Sequence, residues 1–453
     1  MARDALRRIG RTATARATAS LTIAKSAMAL LGAMVFIVSL GYGAGLPLIR
    51  PYLLRYLGAV PASTVDWHVG VLGGVYLFAL FLFAPFWGRL SDRHGRVGVL
   101  LIGFATFMAG SAATALAPSL GIVYAARLLA GAGAAAIVPT AQAYIADGST
   151  TVDRSRRFVL LGSASFVGFL AGPAFGTWLA GPVMGATVGE MGRMLNWPAL
   201  AVAAAGVPLL LVTPLCLGRN HAVVPRQAVE VDEATNKSRR NFVHASMLLA
   251  LLASFAVGTF EVGFNLFGSQ TLGLTTATMA AMFITCSLAM LAAQSMLLLS
   301  SVRRRVDQRW VAAAFAGSAL ALAFTSLVPD AGSLGLMIAV VATGAGMVGP
   351  VLSYDLLERK ADAAGALLGR QAAAGNLGQA LGSMGAGSLF TFAPMAPFWT
   401  AAAILLLGAA LSLVWWGPTR VREIAAGNLG NGGDGETAAT KAAEKHPARA
   451  RLD

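Results

Sequence analysis

Gly88-Arg-Leu-Ser-Asp-Arg-His-Gly-Arg96 is a short polar stretch set between two long apolar runs. His68–Trp87 ends just before it, and Val97–Ala117 begins just after it. Each run has the length of a bilayer span, about 20 residues. Gly88 and Gly95, the acid Asp92 and the arginines Arg89, Arg93 and Arg96 are too specific a set for filler. The stretch reads as a polar turn joining two membrane-spanning helices.

Composition extends that reading to the whole chain. Of its 453 residues, 57% are hydrophobic and 12% charged. Soluble domains carry about 25% charged residues. Together with a mean hydropathy of +0.69, the deficit places the chain among integral membrane proteins. A net charge of +14 would suggest nucleic acid in a soluble protein. Here the basic residues sit in short loops and tails, where they set orientation, so no nucleic-acid partner is expected. The two cysteines, Cys216 and Cys286, lie in apolar segments, so neither a disulfide framework nor a metal site is expected. The basic N-terminus, residues 1–25, shows no short apolar core of a cleaved signal peptide.

Twelve segments are long and apolar enough to span a bilayer. The first six are Ser26–Leu48, His68–Trp87, Val97–Ala117, Leu120–Ala146, Phe158–Gly181 and Trp197–Leu217. The second six are Ala245–Phe267, Thr276–Leu299, Trp310–Val328, Ser333–Leu352, Gly365–Phe390 and Ala396–Trp416. Trp67, Trp87, Trp197, Trp310, Trp399, Trp415 and Trp416 fall at segment ends, where tryptophan favours the headgroup level. Lys and Arg crowd alternate connections and both tails, while the opposite set holds only Arg50, Arg55 and Arg193. That asymmetry puts both termini in the cytoplasm. The expected fold is therefore all-α and membrane-embedded. A six-helix bundle over 26–217 joins a second over 245–416 through a cytoplasmic loop, 218–244. The tail 417–453 is polar, Gly/Ala-rich and expected to be disordered.

The halves look like diverged repeats. Asp147 and Asp355 end the fourth and tenth segments. Gly168 and Gly172 correspond to Gly378 and Gly382, and Asp92 to Asp307, at a near-constant offset. Two repeated bundles that rock about a central site are a common transporter design.

Four stretches resemble the major facilitator superfamily, and within it the twelve-span drug:proton antiporters of the tetracycline-efflux type. Gly88–Arg96 resembles the signature between spans two and three. Arg127-Leu-Leu-Ala-Gly-Ala-Gly-Ala-Ala135 resembles the fourth-span motif, and Ala143-Tyr-Ile-Ala-Asp147 the end of that span. Gly168-Phe-Leu-Ala-Gly-Pro-Ala-Phe-Gly176 resembles the fifth-span antiporter motif, although Thr177 stands where a further glycine is usual. The resemblance implies proton-coupled efflux of small amphiphilic compounds by a monomer in a bacterial inner membrane. The proton gradient is the energy source and no cofactor is needed. A phosphate-binding GxxxxGK[ST] is missing from the sequence, which fits that expectation, and no enzyme signature is present.

The residues themselves suggest roles. In the first motif, Gly88 and Gly95 permit close helix approach and positive φ. Asp92 can pair with a nearby arginine or a helix N-terminus, and Arg93 and Arg96 are at hand, so the stretch is a candidate gate. Arg127 lies inside a span, where a charge costs at least ~2.5–3.5 kcal/mol and should face a partner or a wet cavity. The resemblance gives it a role in proton coupling. Gly168, Gly172 and Gly176 share a helix face that suits backbone-to-backbone packing, and Pro173 bends the helix. The first segment lacks the acid that the family often carries there. Glu261, the one acid well inside a predicted span, is therefore the leading proton carrier, with Arg127 and Asp147 as coupling partners. Tyr42, Gln142, Asn265, Gln294, Asn376 and Gln379 are candidate cavity residues or interhelical hydrogen-bonding groups. The fifth-span motif favours export over proton-coupled import, and these residues do not choose between drug efflux and dedicated export of an endogenous metabolite or siderophore.

Overall fold

The computed structural model describes residues 25–149, 151–184, 196–217, 233–296, 308–327, 331–359 and 364–414. Among these residues the chain is all-helical, with no strand. Helix α1 (Lys25–Gly45) runs through a single 3-10 turn, Leu46–Leu48, into α2 (Ile49–Leu57). Then follow α3 (Ala62–His94), α4 (Arg96–Ala115), α5 (Leu120–Asp147), α6 (Thr151–Met184) and α7 (Trp197–Cys216). The second half contains α8 (Glu233–Gln270), α9 (Thr276–Met296), α10 (Gln308–Ala323), α11 (Ala331–Arg359), α12 (Ala364–Phe392) and α13 (Ala396–Val414).

Ten helical stretches among the described residues are long and apolar enough to cross a membrane. Arg309–Ala323 is apolar but shorter. Helix α12 carries Arg370, Gln371, Asn376 and Gln379 among many glycines and is not one of the ten. The chain is a multi-pass membrane protein. Its helices tolerate internal Pro85, Pro139, Pro208 and Pro350 because neighbouring helices can satisfy the freed carbonyls.

The polar stretch Gly88–Arg96 differs from expectation. It is not a nine-residue turn. Helix α3 continues through Asp92 to His94, and Gly95 alone separates it from α4. Gly95 has φ 91° and ψ 157°, a region essentially closed to residues with a Cβ. Gly88 is helical, and a Cβ there would meet nothing within 4 Å, so it supports no close approach. Trp87 also departs from its expected place at the membrane surface. It is buried, and its indole donates to the Ala132 carbonyl at 2.7 Å. Trp67, Trp310 and Trp399 are exposed as expected.

The fifth-span glycines pack as the motif suggests. A Cβ at Gly172 would lie 2.7 Å from Gly43 in α1, and the nearest atoms to Gly168 and Gly176 are the backbones of Phe36 and Ala44. In the second half, Gly378 and Gly382 face the carbonyls of Leu251 and Phe255 in α8. The two halves therefore repeat one interface, α6 on α1 and α12 on α8. Asp307, the central loop 218–232 and the tails lie outside the described residues, as do the side chains of Asp355 and of the basic residues at 237–240.

Two apolar cores result. One lies mainly in the first half, around Leu31, Phe104 and Ile137, and reaches Ala380 of α12. The other fills the second half around Phe264, Phe315 and Phe398 and extends into Leu53, Val65 and Leu72 of the first. The halves thus share packing at the end of α3 that carries Asp66.

Candidate functional site

Glu261 sits in the buried stretch of α8 and is 8% exposed. An ionised carboxylate there requires hydrogen-bond donors. Two reach it. The Tyr42 hydroxyl, from α1, donates to Glu261 Oε2 at 3.1 Å. Gln379 Nε2, from α12, donates to the same oxygen at 3.0 Å and lies 3.3 Å from the Tyr42 hydroxyl, to which it also donates. Among the described residues Glu261 makes no ion pair, with Arg50, Arg55 or any other cation. The cluster joins the first half to the second. Tyr42 is further fixed by stacking on Tyr76 and Phe169, at 5.4 and 5.9 Å between ring centroids.

Other contacts cross between the halves. Asn265, one turn beyond Glu261, donates from Nδ2 to the Leu46 carbonyl at 2.7 Å. That carbonyl lies in the 3-10 turn that interrupts the first helix. Gln270 Nε2 donates to Asp66 Oδ1 at 2.5 Å. Asp66 is 3% exposed and was missed by sequence reasoning. It precedes the apolar run His68–Trp87, but α3 starts at Ala62 and carries it into the shared core. An acid directly before Trp67 and His68 was the available signal.

The charges of the first motif gather elsewhere. Arg96 donates from Nε to Asp147 Oδ2 at 3.0 Å, and from Nη1 to Asp92 Oδ1 at 2.5 Å and to Ser91 at 3.0 Å. Arg96 thereby ties the end of α3, the start of α4 and the end of α5. Asp147, a coupling candidate from sequence, belongs to this cluster rather than to the hydrogen-bonded group around Glu261. Arg93 is exposed. Just beyond, Arg154 and Arg157 donate to the Ala146 and Gly148 carbonyls, so cations meet the C-terminal end of α5, where the helix dipole favours them. All these contacts lie within the first half. They brace one end of that bundle.

Arg127 lies on α5 and faces a small cavity bounded by Gly45, Tyr76, Ser111, Thr114 and Asn196. Its Nε is buried and has no hydrogen-bond partner among the described residues. Gln294 donates to the Gly346 carbonyl at 3.1 Å and joins α9 to α11 within one half, so it is an interhelical strut. Gln142 and Asn376 are half-buried, Asn376 one turn before Gln379. Of the residues singled out from sequence, the structure gathers Tyr42, Glu261 and Gln379 into one site.

This architecture is that of a transporter with a polar centre between two helical halves, and the sequence model of the Major Facilitator Superfamily matches residues 31–369. The chain belongs to the Major Facilitator Superfamily. Among curated members of the superfamily, multidrug resistance protein 2 of Bacillus subtilis (strain 168) is 25% identical over 399 residues, covering 86% of this chain and 95% of that protein. The class C tetracycline resistance protein of Escherichia coli is 39% identical over 175 residues, 38% of this chain and 40% of that one. Among solved structures, the human organic anion transporter MFSD10 (TETRAN) superposes with a TM-score of 0.64 at 20% identity, covering 86% of this chain and 99% of that one. At that identity the likeness concerns the fold.

Proposed function

We propose that this chain exports small amphiphilic compounds of the drug type in exchange for protons, as a monomer in a bacterial inner membrane. In this reading twelve helices span the membrane, with both termini and the Gly95 end of α3 in the cytoplasm. The biased placement of Lys and Arg supports the orientation, and helices at all twelve positions expected from sequence support the count. The multidrug and tetracycline resistance relatives support the substrate class. No cofactor takes part, since the proton gradient supplies the energy, ~2.3 kcal/mol per charge per 100 mV plus its pH component.

The observation that carries the proposal is the hydrogen-bonded Glu261 between the halves. When Glu261 is ionised, Tyr42 and Gln379 donate to a charged acceptor. Such bonds are roughly twice as strong as neutral ones. Protonation of Glu261 neutralises the acceptor and weakens both bonds. One of them, from Tyr42, crosses between the halves, so proton occupancy biases how the halves sit against each other. A ligand shifts a two-state equilibrium only by its differential affinity for the two states. Coupling then follows if proton and substrate bind opposite states.

The test is transport in inverted membrane vesicles with an imposed pH gradient, using ethidium, tetracycline and the zwitterionic carboxylate ciprofloxacin as probes. Uptake that follows the gradient is the expected result. With Glu261→Gln the expected flux is slow and indifferent to the gradient. Gradient-driven flux at wild-type rate in that variant would remove Glu261 as the proton carrier.

A further inference from the structure

Arg127, half-buried on α5 with its Nε enclosed, stays outside the Glu261 cluster. Among the described residues Arg127 makes no ion pair, and no carboxylate lines its cavity. The polar groups around it are rich in donors. Tyr76 and Ser111 bring hydroxyls. Asn196 already accepts from the Ala199 N–H through Oδ1, at 3.2 Å, which leaves its amide N–H groups to donate. Thr114 has turned its own hydroxyl to the Gly110 carbonyl, so it offers the cavity oxygen lone pairs, while the Tyr76 and Ser111 hydroxyls can rotate to donate. A guanidinium with donors around it and, among the described residues, no acid beside it is the chemistry of an oxyanion site.

Size and position narrow the ligand. The cavity has a volume of about 40 Å³, room for a few water-sized groups. It suits a carboxylate and excludes a whole drug-sized molecule. Tyr76 borders the cavity and stacks on Tyr42, which in turn donates to Glu261. The cavity therefore adjoins the centre of the molecule through two stacked phenols. Gly45 makes room for the cation, since a Cβ there would lie 2.6 Å from Arg127 Nη2.

We propose that the Arg127 cavity is an oxyanion subsite that takes the carboxylate of the transported compound, while the apolar body of that compound rests against Phe107 and Val202, which line the same cavity. This rests on the transport reading above and adds a substrate class to it: organic carboxylates, including zwitterions, in preference to their esters and amides. The planar guanidinium pairs with a carboxylate through two parallel N–H···O bonds, which a lysine ammonium cannot reproduce.

The test is an equilibrium measurement on the purified full chain in detergent. Thermal unfolding is followed while sodium benzoate, benzamide or sodium chloride is added at matched ionic strength. A ligand that binds only the folded state raises the transition with its concentration. Benzoate is expected to give a saturable rise that neither benzamide nor chloride reproduces. Arg127→Gln should abolish it. Should that variant not fold, Arg127→Lys should weaken half-saturation by about fivefold or more, through loss of the bidentate fork. Gly45→Ala should also weaken it by displacing the guanidinium. No benzoate rise in the wild type, or a rise unchanged in Arg127→Lys and Gly45→Ala, would overturn the subsite. An equal rise with chloride would overturn the organic carboxylate as its ligand. The two readings fail separately: gradient-driven flux without a benzoate rise sinks the subsite alone, and a benzoate rise without flux sinks the transport reading.

Discussion

Tyr42 and Glu261 stand in different halves of the chain, 219 residues apart, yet the phenol hydroxyl donates to the buried carboxylate at 3.1 Å. Gln379 donates to the same oxygen. Two donors on one acceptor make a coupled unit. Tyr42→Phe and Gln379→Met should each lower gradient-driven flux by roughly 10- to 150-fold, the equivalent of about 1.5–3 kcal/mol for a lost bond to a charged group. The double variant should lose less than the product of the two. A multiplicative loss in a double-mutant cycle would show that the donors act independently.

The glycines of the opening motif should respond in opposite ways. Gly95→Ala places a Cβ at φ 91°, ψ 157° and should cost about 1–3 kcal/mol, seen as a lower unfolding temperature in detergent. Gly88→Ala adds a methyl group to open space within a helix. It should be neutral or stabilise by about 0.4–1 kcal/mol. A loss of stability for Gly88→Ala would mean that a partner covers this face.

Arg96 is shared by two acids, so its loss should exceed the loss of either one. Asp92 is 65% exposed in its side chain and Asp147 39%. Exposed pairs contribute only about 0.2–1 kcal/mol. Asp92→Asn and Asp147→Asn should therefore each destabilise slightly, and Arg96→Ala more than both. Turnover in vesicles should fall in the same order. If Asp92→Asn alone stops turnover at full stability, Asp92 has a role beyond bracing α3 to α4.

The Asp66–Gln270 contact offers an acceptor that survives a change of charge. Asp66→Asn keeps an oxygen for Gln270 and should retain most of the flux. Asp66→Ala leaves the Gln270 amide without its acceptor in a buried place, at about 1–3 kcal/mol, and should lower the unfolding temperature. Equal behaviour of the two variants in the unfolding scan would indicate that the charge, and not the hydrogen bond, is what counts.

The fifth-span face has the least tolerance. Gly172→Leu would drive a side chain into Gly43 and the α1 backbone. Overpacking of that kind costs about 1–3 kcal/mol or more, so a sharp loss of folded protein by size-exclusion profile is expected. Gly162, with open space at its Cβ position, should accept leucine.

Helix positions were legible because hydropathy follows the membrane's thickness, and Glu261 was legible because an acid inside an apolar run is costly. Its partners were less so. Tyr42 and Gln379 appeared only among several polar residues, since nothing local links positions 219 and 118 residues away. Asp66 was hidden because polar first turns lie outside an apolar window even when folding buries them. The partner of Asp147 was hidden for a related reason. Sequence puts it at the end of a span, but only packing reveals that Arg96 from the preceding helix occupies its carboxylate. The signature at Gly88–Arg96 looked like a turn from its polar composition, while backbone preference left Gly95 as its single break.

The walls of the Arg127 cavity come from α1, α3, α4, α5 and α7, all in the first half of the chain, whereas Glu261 belongs to the second. On the two proposals, the first half would set cargo preference and the second would carry the proton on Glu261, with Tyr42 of the first half as its donor. A chimera that keeps residues up to the central loop and takes its second half from a relative would inherit its taste for carboxylates from one parent and its fuel from the other.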